Sequence, residues 1–138
     1  MKELNEEAMR IYHNMNAYKH AYAMLCQAAN EQREFLMPAH TLALRTCELY
    51  VKLLLWQETR TMPVENGLYA LYGRLSEKLR ARIVRVTEAF YQKGTQSEFR
   101  FEQMLQDTDK DLIVPMEAEW IFMDSLVKAL AMEIQLCL

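Results

Sequence analysis

At 138 residues and 51% apolar side chains, the chain can fill one hydrophobic core without a disulfide or metal staple, so a single domain over 1–138 is expected. Three Gly and three Pro are too few for the turns of a β-rich fold, and the composition points to an all-α protein. The net charge of −3 argues against a protein that coats nucleic acid, and the absence of any run of about 18 apolar residues excludes a spanning helix from expectation.

Apolar residues Leu4, Ala8, Ile11, Met15, Tyr18, Tyr22, Leu25 and Ala29 recur every three to four positions, which predicts a long amphipathic first helix from residue 3 to about 36. Pro38 is expected to stop it. Residues 41–56 form the next helix and are apolar almost all round, ending near Glu58. Arg45, Glu48 and Lys52 nevertheless recur along it and, with Thr41, fall within an arc of about 60°. A helix so apolar belongs in the middle of a bundle, where its charged stripe must meet counter-charges, line a wet cleft or face a partner.

Residues 59–67, with Pro63 and Asn66-Gly67, are a loop. A third helix starts near Leu68, and Ser76 has the character of a fresh N-cap that breaks or bends it before Leu79, Ile83, Val86 and Phe90 continue to Gly94. A short helical piece over 98–105 then precedes Asp107, Asp109, Asp111 and Pro115. The last helix runs from 116 to about 135, with Trp120, Met123, Val127, Leu130 and Ile134 on one face. Long helices joined by modest loops make an up-and-down bundle of four to five helices.

The usual chemical signatures are missing: there is no glycine loop for phosphate, no Cys pair at zinc spacing, and no Glu-x-x-His for a di-iron bundle. Neither a metal nor a cofactor is expected. His13 and His20 share a helix face two turns apart, about 10 Å along the axis, too far to grip one ion. Cys26, Cys47 and Cys137 are odd in number and mostly set in apolar stretches, as reduced thiols are, and the acidic start lacks a leader's apolar core. A cytoplasmic location is expected. Arg74, Lys78, Arg82 and Arg85 lie near one face of the third helix and form the clearest basic patch. They are either a phosphate- or RNA-contacting surface or a solvated face paired with residues 107–111.

The run Arg45-Thr46-Cys47-Glu48-Leu49-Tyr50-Val51-Lys52-Leu53-Leu54-Leu55 resembles the Cys-Glu-Leu-Tyr-Leu-Lys-type helix of bacterial HEPN-domain proteins. The Leu-rich segment Leu68-Tyr69-Ala70-Leu71-Tyr72-Gly73-Arg74-Leu75 and the aromatic-Arg-aromatic element Glu98-Phe99-Arg100-Phe101 are similar to elements that follow in the same family, so the resemblance covers roughly residues 38–130. Where the family often has His ahead of the Leu-rich segment, this chain has Asn66.

The resemblance implies a helical bundle, usually a homodimer, acting beside RNA or a partner protein. In active members it implies a metal-independent ribonuclease, often a toxin facing an antitoxin, with four to six residues between an Arg and a His. Arg33 and His40 are the candidate pair here, with Arg33 polarising the scissile phosphate and His40 as general acid or base. Pro38 is expected to turn the chain between them and leave them in different surroundings. A non-catalytic dimeric binding or regulatory module is the leading expectation. A ribonuclease toxin and a structural subunit of a larger assembly are the alternatives. Arg45, Glu48, Lys52 and Arg100 are the expected binding cluster, with Arg100 converging on Glu48 and Lys52.

Overall fold

The computed structural model describes residues 5–108, 110 and 117–137, which form six α-helices and one 3-10 turn without a strand among them. The chain is an all-α bundle. Helix α1 (Glu6–Glu31) begins where the Asn5 side chain accepts from the Ala8 N–H at 2.7 Å, with Glu6 and Glu7 against the positive end of its dipole. It ends at Glu31, ahead of the 3-10 turn Arg33–Phe35, and α2 (Leu36–Thr59) follows directly.

Pro38 therefore opens the second helix instead of stopping the first. It occupies the first turn of α2, where a backbone N–H has no partner within the helix and its loss costs nothing. At the other end Arg60 adopts the left-handed conformation (φ 60°), returns its N–H to the Trp56 carbonyl at 2.7 Å, and lays its guanidinium 4.4 Å above the Trp56 ring.

Helix α2 is the axis of the bundle. It packs against α1, α6 and α3 (Leu68–Gly73), and the eleven residues from Thr46 to Trp56 are all buried. Fully burying each of its leucines is worth roughly 1.5–3 kcal/mol. The buried residues of α1, namely Ala8, Met15, Tyr22 and Ala29, recur every seven positions, so α1 meets the bundle along one narrow seam. Ser76 does end one helix and start another: its hydroxyl accepts from the Leu79 N–H at 3.3 Å and caps α4 (Glu77–Gly94).

Helix α4 packs on α6 (Glu117–Cys137), and α5 (Phe101–Thr108) bridges α3 and α6. Tyr72, Tyr91, Phe99, Phe101 and Phe122 interlock at this end, with successive ring centroids 5.1–6.5 Å apart. No helix among the described residues is long and apolar enough to cross a membrane. Residues 109 and 111, two of the three acidic positions expected to face the basic patch, lie outside the described residues, as does Pro115.

Candidate functional site

Glu48 and Lys52 of the α2 stripe are buried against the loop that leaves the same helix, while Thr41 and Arg45 keep contact with solvent. Glu48 and Lys52 are only 9% and 8% exposed. Glu48 Oε2 accepts the Gly67 N–H at 3.0 Å, while its other oxygen stands 3.9 Å from Arg45. Lys52 Nζ donates to Asn66 Oδ1 at 2.8 Å. Gly67 has φ +102°, a conformation that disfavours any side chain, so the Asn-Gly pair presents both an amide acceptor and a backbone donor to the stripe. The stripe thus clamps the 60–67 connection and sets where α3 begins.

Arg100, expected to complete this cluster, instead pairs with Glu98 at 2.8 Å, and its side chain is 67% exposed. The reason is local. Residues 98–100 are not helical, and successive side chains of an extended stretch point to opposite sides. With Phe99 and Phe101 drawn into the aromatic cluster, the residue between them is sent outward. The aromatic-Arg-aromatic element is an anchor built from its aromatics.

Arg33 and His40 lie in different surroundings, although no proline bend separates them. Arg33 is exposed in the 3-10 turn and borders a cleft of about 260 Å³ with Leu36, Glu117 and Trp120. His40 is 4% exposed on α2, its ring 6.2 Å from Trp120 with 31° between the planes. Both of its ring nitrogens are buried and have no hydrogen-bond partner. Burial alone pushes the imidazole pKa below its ordinary value, so His40 is held neutral and dry.

The basic patch is half consumed by ion pairs. Arg74 pairs with Glu65. Arg82 makes a forked contact with Glu133 of α6, its Nε and Nη2 at 3.2 and 2.9 Å from the two carboxylate oxygens, and this pairing raises the Arg82 pKa. Lys78 and Arg85 remain exposed. Of the acidic residues expected to face the patch, Asp107 pairs with Lys110 at 3.2 Å, while 109 and 111 lie outside the described residues.

One constellation was not evident in the sequence. Tyr22 of α1 donates to Asp124 of α6 at 2.7 Å, and Lys128 reaches the other oxygen of the same carboxylate at 2.9 Å. Burial first, then the Asp124 hydrogen bond, pushes the Tyr22 pKa far up, so this phenol stays a donor. Lys128 and Lys93 both stand over Phe90, at 5.8 and 5.9 Å from its centroid. Asp124 and Lys128 at i,i+4 were a weak signal in the sequence, whereas a tyrosine 102 residues away was none. Among the described residues no group of three His, Cys, Asp or Glu is placed to hold a metal ion.

Comparison with known proteins finds no matching family model, no matching curated protein and no matching solved structure.

Proposed function

We propose that this chain is a non-catalytic, HEPN-like helical module that acts by association, as a homodimer engaged with a partner protein. The observation that carries the reading is the state of His40. A general acid or base must exchange its proton with a bound substrate, and an imidazole whose two nitrogens are both sealed from water and from Arg33's exposed cleft is unsuited to that role. Glu48 and Lys52 of the expected cluster hydrogen-bond the 60–67 connection, and Arg74 and Arg82 of the basic patch are ion-paired with Glu65 and Glu133. A protein partner is favoured over RNA because two of the four patch cations are already neutralised by carboxylates, which lowers the counterion release on which RNA affinity rests.

Light scattering on the purified protein tests the association: a mass twice the 16.3 kDa protomer is expected, and a monomer at micromolar concentration would overturn the dimer. The catalytic alternative is checked by incubating RNA with wild type, Arg33→Ala and His40→Ala in chelator. Cleavage by the wild type that both substitutions abolish would replace the module reading with a ribonuclease. Tight, salt-dependent RNA binding lost in Lys78→Ala/Arg85→Ala would replace the protein partner with RNA.

A further inference from the structure

Between the C-terminal end of α4 and the N-terminal half of α6 lies a cleft of about 330 Å³. Phe90, Ile121 and Trp120 form its apolar walls; Lys93, Lys128 and Asp124 supply its charge. The walls meet closely, since a Cβ at Gly94 would stand 3.0 Å from the Ile121 side chain. A volume of this size is at the small end of ligand pockets, and two aromatic walls with a few convergent polar groups fit a flat organic molecule.

The charges decide which kind. Lys93 and Lys128 come from different helices, yet both ammonium groups lie within 6 Å of one Phe90 centroid. Asp124 is occupied twice, by the Tyr22 hydroxyl at 2.7 Å and by Lys128 at 2.9 Å, so it is fixed in place and neutralises one of the two lysines. Lys93 is exposed and, among the described residues, has no carboxylate within ion-pairing distance. Its position in the last turn of α4 offsets the helix's negative end, but that end amounts to about half a charge. The cleft therefore keeps an excess of positive charge of no more than about one unit, over aromatic surface. A single carboxylate balances that excess, whereas a phosphate dianion exceeds it and a neutral ring makes no use of it.

We propose that this α4–α6 cleft is a binding site for a small aromatic carboxylate, its ring against Trp120 and Phe90 and its carboxylate between Lys93 and Lys128. Asp124, oriented by Tyr22, is a positioning residue that holds Lys128 at the rim. The site is independent of the association proposed above, since it lies within one protomer.

The probe is 2-naphthoate, with 2-naphthalenemethanol as the neutral molecule of the same shape and acetate as the bare anion, each titrated against Trp fluorescence. The two tryptophans are distinguishable, because Trp56 is buried in α2 and only Trp120 borders the cleft. Saturable quenching by naphthoate is expected, about tenfold weaker for the alcohol, undetectable for acetate, and absent in Trp120→Phe. Lys93→Met keeps the hydrocarbon stem and should weaken naphthoate about tenfold while leaving the alcohol unchanged. Because Lys93 is exposed at a helix end, this variant is expected to fold as the wild type does, checked by circular dichroism. Equal naphthoate affinity in wild type and Lys93→Met, equal affinity for acid and alcohol, quenching that survives Trp120→Phe, or no saturation by about 10 mM would each overturn the proposal.

Discussion

Replacing His40 with Leu should stabilise this protein, and more so in acid. At neutral pH the wild-type imidazole keeps one N–H and one acceptor nitrogen dry, each worth roughly 1–3 kcal/mol in lost hydration. Leucine removes that penalty at similar volume but forfeits the ring contact with Trp120, worth about 0.5–1.5 kcal/mol. A net gain of about 3 kcal/mol is expected at pH 7.5. Below the ordinary histidine value of about 6.5 the unfolded chain takes up a proton that the folded His40 resists, because burial holds its pKa down. The unfolded state then binds more protons, so wild-type stability falls as pH drops from about 6.5 towards the lowered folded value. If His40 stays neutral at pH 5, linkage over 1.5 units costs the wild type about 2 kcal/mol that the variant does not lose.

The assay is urea unfolding of both proteins at pH 7.5 and pH 5.0, with the difference in midpoints as the quantity read. His13 and His20 are exposed and common to both proteins, so the difference in midpoints isolates position 40. The gap should widen, with about 2 kcal/mol, roughly 1 M in midpoint for a slope near 2 kcal/mol/M, as the ceiling set by linkage over 1.5 pH units. A gap that is the same at both pH values would refute the reasoning, because it would mean that His40 takes up its proton inside the fold.

Two further outcomes follow from buried charges. Arg82→Ala should cost about 3 kcal/mol because it leaves Glu133, whose side chain is 3% exposed, as a buried carboxylate without its partner; Arg82→Ala/Glu133→Gln should recover much of that, and thermal melts that show no recovery would count against the pairing. Glu48→Ala strips the acceptor from the Gly67 N–H, so a loss of about 1–3 kcal/mol and earlier proteolytic cleavage in the 60–67 loop are expected; a variant as stable and resistant as wild type would show that the stripe does not clamp the loop.

Much of the fold was legible because it rests on local signals. The three-to-four spacing of apolar residues, Ser76 as a cap and the near-continuous apolar surface of α2 each appear within a few turns of chain, and each has its counterpart in the bundle. Pro38 misled because a proline that ends one helix and a proline in the first turn of the next look alike in sequence; both satisfy the same missing N–H. Arg100 misled for a related reason. Aromatic neighbours on both sides suggest an anchored guanidinium, yet Phe99 and Phe101 take the inside and leave Arg100 between them facing outward.

The candidate site was far less legible, because pairings that consume charge are set by the packing of helices distant in sequence. Arg82 and Glu133 are 51 residues apart, and Tyr22 and Asp124 are 102 apart; no spacing rule links them. A list of charges read from sequence therefore overstates how many are free to meet a ligand. The same packing also produces what the list does not contain. Lys93 follows Phe90 by three residues on α4 and reaches it locally, whereas Lys128 and Trp120 come to the same ring only through the packing of α4 on α6. Burial removes Glu48, Lys52 and His40 from the surface, while the meeting of two helices supplies a cationic aromatic cleft in their stead. In a bundle of this kind the groups free for binding are those left over once the core has been satisfied, and they are found by following each charge to its partner.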